Sequence, residues 1–172
     1  MQPSEVKTTG KRAKTPEQAL AALMRLCARA EKSQDDARRL MRGWGLAERE
    51  GEQVLERLVR DRFIDDGRYA EAFVRDKLRL SGWGEYKIRT ALQRKRIDRE
   101  LIDAALALAD RQDMAGRLRQ QLERKMRTTR HTTQYELKTK LIRYGLSLGY
   151  DYETVLDSAA ALVTDTETCD EF

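Results

Sequence analysis

One apolar register occurs three times along this chain, and that periodicity limits the fold more than any single motif does. Leu46, Ile97 and Tyr150 fall at equivalent places, 51 and 53 residues apart. Nine residues before them stand Ala37, Ile88 and Leu141; five after stand Gly51, Ile102 and Val155; nine after stand Leu55, Leu106 and Ala159. Within each unit the apolar residues recur at three, four and seven, as on one face of a helix. No segment alternates with the two-residue period of a strand, and β-branched residues are sparse. The expectation is an all-α chain, an elongated tandem array of three three-helix repeats over residues 15–64, 65–110 and 111–163. A basic arm, expected to be disordered, precedes the repeats at 1–14, and an acidic tail follows at 164–172.

Helix starts agree with that partition. Thr15-Pro16-Glu17-Gln18 is a capping box with proline in the first turn, where its missing N–H costs nothing. Leu20, Leu23, Met24 and Cys27 then form the first apolar face, and Ser33 with Asp36 opens a second helix carrying Ala37, Leu40 and Met41. Gly43-Trp44-Gly45 stops it, and the third helix presents Val54, Leu55, Leu58 and Val59. Thr133 with Glu136 reads as another capping box, while Asp98 and Asp151 directly follow the aligned Ile97 and Tyr150. Between the first two repeats lies the junction Arg62 to Ala70. There Phe63 and Ile64 close one apolar face, Asp65 or Asp66 is expected to cap the next helix, and Tyr69 with Phe73 opens a new face. Gly67 and the pair Gly82 and Gly84 sit at unit joints, where glycine's freedom in φ would let one unit swing against the next, although glycine at a helix boundary is more often a plain cap.

Charge narrows the function. The chain has 34 Lys/Arg against 29 Asp/Glu, and four of those acids fall in the last nine residues, leaving +9 in the 163 residues before them. The excess is concentrated: residues 75–99 hold nine bases and three acids, and residues 111–144 hold ten and three. Each Lys or Arg taken alone reads as part of a solvated helix face, but two neighbouring segments at +6 and +7 indicate a polyanionic partner. The candidate contacts are Lys87, Arg89, Arg94 and Lys95 in the first segment. The second segment supplies Arg117, Arg124, Arg127, Lys138, Lys140 and Arg143. Trp44 and Trp83 flank glycines at helix joints, where packing over the joint is the expectation and base stacking the alternative.

Catalytic and cofactor chemistry finds no support. His131 is the only histidine and has no second ligand pattern beside it. Asp65-Asp66-Gly67 matches the start of a calcium loop, but Arg68, Tyr69 and Ala70 replace the later ligands. There is no phosphate-cradling GKT or GKS sequence. Cys27 and Cys169 lie far apart in different surroundings, which fits a reducing cytoplasm rather than a disulfide or a metal cluster. No run of about 18 apolar residues exists to span a membrane.

The residues also carry a resemblance. Arg29-Ala30-Glu31-Lys32-Ser33, the block Phe63 to Arg75, Ile88 with Leu92, Arg96-Ile97-Asp98, and Lys140-Leu141 ahead of Leu148-Gly149-Tyr150 resemble the RecX family of bacterial recombination regulators. The likeness covers residues 15 to about 163, and its most specific piece is Asp65-Asp66-Gly67-Arg68-Tyr69-Ala70. The chain departs from the family pattern at Gly51, usually aliphatic, at Gly145, usually leucine, and at Arg96, usually glycine. The resemblance implies a non-enzymatic, cofactor-free protein that binds the RecA recombinase filament on single- or double-stranded DNA. It also implies that such a protein restrains filament growth, ATP hydrolysis and strand exchange. Competing readings are a stand-alone helix-turn-helix-like DNA-binding protein and a helical scaffold. A monomer is expected, since repeats in one chain already bury one another's faces.

Overall fold

The computed structural model describes residues 13–167, with side chains as far as Thr164. Among them are nine α-helices and no strand. The arm at 1–12, with Lys7, Lys11 and Arg12, and the end of the tail, with Cys169, Asp170 and Glu171, lie outside the described residues, whereas residues 164–167, expected as tail, continue the last helix. The chain divides between Asp66 and Gly67 into two compact units.

The first unit holds α1 (Pro16–Cys27), α2 (Gln34–Gly43) and α3 (Glu48–Arg60). Its starts follow the sequence closely. Thr15 Oγ1 accepts from the Gln18 N–H, and Gln18 Oε1 accepts from the Thr15 N–H, so the capping box is closed. Ser33, fully buried, accepts from the Asp36 N–H at 3.1 Å. Leu23, Ala37, Met41, Val54, Leu55, Leu58 and Ile64 make the core, with Phe63, Trp44 and Cys27 packed against it. Val59 departs from expectation and is exposed, because it lies one residue past the buried Leu58 and rotates off the apolar stripe.

The second unit contains six helices. α4 (Asp66–Asp76) ends in a π-helical turn over Lys77–Ser81 and is followed by α5 (Glu85–Arg94) and α6 (Arg99–Ala107). α7 (Arg111–Thr128), α8 (Gln134–Ser147) and α9 (Tyr152–Glu167) complete it. Two cores result, one around Tyr69, Val74, Ile88, Leu92 and Ile102, the other around Leu118, Leu122, Leu137, Leu141 and Val155.

The repeating register is built on one turn used three times. Ahead of Leu46, Ile97 and Tyr150 the chain passes through a left-handed residue: Gly45 at φ 80°, Arg96 at 57° and Gly149 at 91°. The next amide then bonds back five residues, Leu46 to Met41, Ile97 to Leu92 and Tyr150 to Gly145. Arg96 therefore occupies a backbone conformation that favours glycine, the residue the resemblance leads one to expect there. Each of the other two departures is matched by a larger side chain across the same helix contact within its own repeat. Met41 lies 3.8 Å from where a Cβ on Gly51 would stand, so the long side chain on α2 fills the space left on α3. In α8 the small residue is Gly145, and a Cβ there would meet Val155 Cγ1 at 2.6 Å.

The glycines at the joints are placed in different ways. Gly67 lies inside α4 without positive φ. Gly84 is buried, and its N–H donates to Leu148 O at 2.7 Å, while the Tyr86 N–H donates to Gly149 O at 3.0 Å. The unpaired N–H groups that begin α5 thus satisfy the unpaired carbonyls that end α8. A Cβ on Gly84 would stand 2.5 Å from Tyr150 N, and one on Gly149 would stand 2.6 Å from Lys87 N. Gly82 is left-handed at φ 59°, and its carbonyl accepts from Gln121 Nε2 at 2.8 Å. These contacts lock the α4–α6 triplet to the α7–α9 triplet.

Gly84→Ala is accordingly expected to destabilise this unit by about 2 kcal/mol or more, since the backbone of Gly149 and Tyr150 must give way. Gly43→Ala, where nothing lies within 4 Å of the added methyl, serves as the control and stabilises by about 0.5 kcal/mol. Denaturant melts of both variants check this, and equal midpoints would refute the close-approach account.

Candidate functional site

Two of the junction residues, Asp66 and Tyr69, make contacts within the fold. Asp66 is the first residue of α4, and its carboxylate reaches back 32 residues to accept from the Gln34 N–H at 2.9 Å, serving the N-terminus of α2. A start-of-helix aspartate was readable from the sequence, but the helix it serves was not. Asp65 is half-buried and Arg68 exposed, while Tyr69 is buried with its ring centroid 6.0 Å from that of Phe73. Asp66→Ala is expected to cost about 1 kcal/mol by thermal melting, and Asp66→Asn, which keeps an acceptor, much less. Equal loss for both would remove the capping role.

The basic candidates separate by how firmly each is held. On α5, Arg89 bonds Asp103 through Nη1 and Glu85 through Nη2, so its charge is answered locally. Its carboxylate partner is repeated in the first unit, where Arg38 forks onto Glu52 at 2.7 and 3.1 Å. Both pairs span 14 residues and occupy the same repeat positions, one after Ala37 and Gly51, the other after Ile88 and Ile102. The α8 and α9 counterparts are Ile142 and Leu156. Arg89 thus ties α5 to α6, a role the fourteen-residue spacing could have revealed. Lys87 Nζ donates to Ser147 O at 3.2 Å and stands 4.7 Å from the centre of the Trp83 ring. Lys77 approaches the same ring at 4.7 Å, and Phe73 meets it edge-on, so Trp83 packs over the joint as expected. Lys95 Nζ lies 5.6 Å from the Tyr69 ring.

On α7 and α8 the division is similar. Arg117 bonds Asp113 at 2.9 Å and donates to Arg79 O. Arg124 and Arg127 are exposed on the face away from Leu118 and Leu122. Lys140 pairs with Glu136 at 2.6 Å and donates to Arg130 O at 2.8 Å. Arg94, Arg124, Arg127, Lys138 and Arg143 have neither an ion pair nor a hydrogen bond from their side chains among the described residues. Two of the candidates, Lys140 and Arg143, meet in a cleft with Lys125 and Arg130, which the sequence reading did not single out. Their convergence depends on the path of residues 129–133, where no periodicity guides prediction. Lys87 and Arg94 meet in another cleft beside Trp83 and the exposed Tyr86.

At the start of α8 the expected capping box is only half formed. Thr133 Oγ1 accepts from the Glu136 N–H, but the Glu136 carboxylate turns to the N–H and hydroxyl of Thr132 instead. Asp98 occupies its cap position without a side-chain bond to the helix, whereas Asp151 accepts from the Thr154 N–H at 2.9 Å. Lys140 first, then the Thr132 N–H and hydroxyl, hold the Glu136 carboxyl down to about 2 from an ordinary 4.5. A carboxylate that titrates lower folded than unfolded stabilises the fold above the unfolded value and loses that contribution as pH falls through the folded one. For Glu136 the window runs from 4.5 down to about 2. A carbon-detected NMR titration is expected to place its midpoint near the lower figure, and Lys140→Ala to move it upward. A midpoint at the ordinary value in the unaltered protein would contradict the geometry.

Among the described residues no cluster of His, Cys, Asp and Glu is arranged to hold a metal ion, and no helix is long and apolar enough to cross a membrane. With this arrangement in view, likeness to known proteins is specific. Residues 65–106 match the family model described as RecX, second three-helix domain, and residues 112–157 match RecX, third three-helix domain. Together they take in about half of the chain. The chain belongs to the RecX family. It is 35% identical over 105 residues to the regulatory protein RecX of Clostridium beijerinckii, across 59% of this chain and 48% of that one. With the regulatory protein RecX of Clostridium perfringens it shares 28% over 132 residues, across 76% and 61%. The chain spans about half the length of the first curated relatives it matches. The crystal structure of RecX from Lactobacillus salivarius superposes with a TM-score of 0.74 at 19% identity, covering 87% of this chain and 96% of that one, which shows the shared helical-repeat fold.

Proposed function

We propose that this RecX-family chain is a non-enzymatic regulator that binds a RecA–DNA filament and restrains its growth, ATP hydrolysis and strand exchange. The observation that carries the reading is the set of cations on the second unit left without local partners, Arg94, Arg124, Arg127, Lys138 and Arg143. Helix-surface arginines that answer no carboxylate within the fold are suited to phosphate oxygens, whose counterions they release on contact. The relatives' printed name, regulatory protein, supports a role without catalysis. The same reading makes the protein a cytoplasmic monomer that needs no cofactor, built of repeats at 15–64, 65–110 and 111–163.

Reversing Arg94, Arg124 and Arg127 together to glutamate is expected to weaken binding to a RecA filament on DNA about tenfold or more and to relieve inhibition of its ATP hydrolysis. Far-ultraviolet circular dichroism should show unchanged helicity, since all three side chains are exposed. Filament affinity equal to that of the unaltered protein would overturn the basic-surface reading. Tight, sequence-specific binding to duplex DNA without recombinase would favour a stand-alone DNA-binding protein instead.

A further inference from the structure

Beside the turn that joins α7 to α8 lies a shallow, open cleft of about 500 Å³ whose charged lining is entirely basic: Lys125, Arg130, Lys140 and Arg143. The other clefts of the second unit differ. One of about 670 Å³ sets Glu85 and Asp151 against Arg89 and Arg111, and another sets Glu71 and Asp113 against Arg75, Arg79 and Arg117. The cleft beside Trp83 holds two bases, Lys87 and Arg94, of which Lys87 already donates to Ser147 O.

Four cations around one small volume repel each other unless an anion joins them. Lys140 alone of the four has a carboxylate, Glu136, and that carboxylate is also held by Thr132 at the start of α8. Lys125 stands 5.3 Å from the Tyr144 ring, a placement that steadies the ammonium without neutralising it. Arg130 and Arg143 are exposed, with both guanidinium forks unpaired among the described residues. The hydroxyls of Thr128 and Thr129 donate to Lys125 O, so they close the end of α7 and leave anion binding to the cations. Two forks, the Lys125 ammonium and the one N–H that Lys140 keeps beyond Glu136 and Arg130 O supply donors to several oxygens of one tetrahedral anion. Arg124, exposed one residue before Lys125 on α7, adds a further cation near the cleft.

We infer that this cleft is a phosphate-binding site that seats a backbone phosphodiester of a nucleic-acid strand. The inference rests on the filament-binding function proposed above and assigns its DNA contact to the α7–α8 turn.

The test uses the full chain and a fluorescent thymidine oligonucleotide in anisotropy titrations over a range of salt. Arg130→Ser with Arg143→Ser is expected to weaken binding about tenfold at low salt. The slope of log K against log salt should become shallower by about 1.4, two single-strand phosphate contacts' worth. Arg130→Lys with Arg143→Lys should restore most of that slope, which a merely structural role would not require. Affinity and slope unchanged in the serine variant, while reversal of Arg94, Arg124 and Arg127 still weakens filament binding, would overturn the cleft and leave the proposed function standing. An unaltered protein that binds filament but not the oligonucleotide overturns the cleft as well. In a parallel arm, NMR signals of the Arg130 and Arg143 side chains that respond to inorganic pyrophosphate but not to the oligonucleotide would overturn nucleic acid as the source of the phosphate.

Discussion

Two helix ends that satisfy each other hold the second unit together. The first amides of α5 and the last carbonyls of α8 would each need a partner, and they meet through Gly84 to Leu148 and Tyr86 to Gly149. The positive end of one helix thereby faces the negative end of the other. The approach is so close that neither Gly84 nor Gly149 has space for a methyl group. Gln121 to Gly82, Arg117 to Arg79 and Lys87 to Ser147 then bridge the same joint from the flanks. With the joint closed, the cations of α5 and those of α7 and α8 stand at fixed distances from one another. A rigid spacing of this kind is what a repeating polyanion rewards.

Repetition gives the chain a common frame and leaves each copy free to vary. All three copies keep the left-handed residue and the five-residue backward bond, because that turn sets the angle at which the third helix of each triplet returns to the core. The side chains around it have drifted in compensating ways. Met41 covers Gly51, Val155 covers Gly145, and the ion pairs Arg38–Glu52 and Arg89–Asp103 give way in the third copy to Ile142 and Leu156. Arg96 is the copy that keeps the turn without glycine.

Helix identity, the three apolar faces and most caps were legible in the sequence, because each is a local pattern with a local cause. Thr15 with Gln18 and Ser33 with Asp36 work as their spacing implies. What the sequence hid were relations across long separations. Gly84 looks like a flexible joint until Gly149 is seen against it, and nothing local to Asp66 announces that its carboxylate accepts from the Gln34 N–H. The candidate site divides in the same way. Charge counting found the two basic segments, yet it could not tell the answered Arg89 from the unanswered Arg94, nor bring Lys125 and Arg130 to Lys140 and Arg143.

The central claim is that α4–α6 and α7–α9 move as one body, so that their basic surfaces keep a fixed spacing. Native-state hydrogen exchange at Gly84 and Tyr86, the two amides that bridge the joint, measures this most directly. The account predicts that both exchange only through the same global opening that exposes Ile88 and Leu141. Exchange of Gly84 and Tyr86 through a separate opening of low free energy, with Ile88 and Leu141 still protected, would show a hinge at the joint and contradict it.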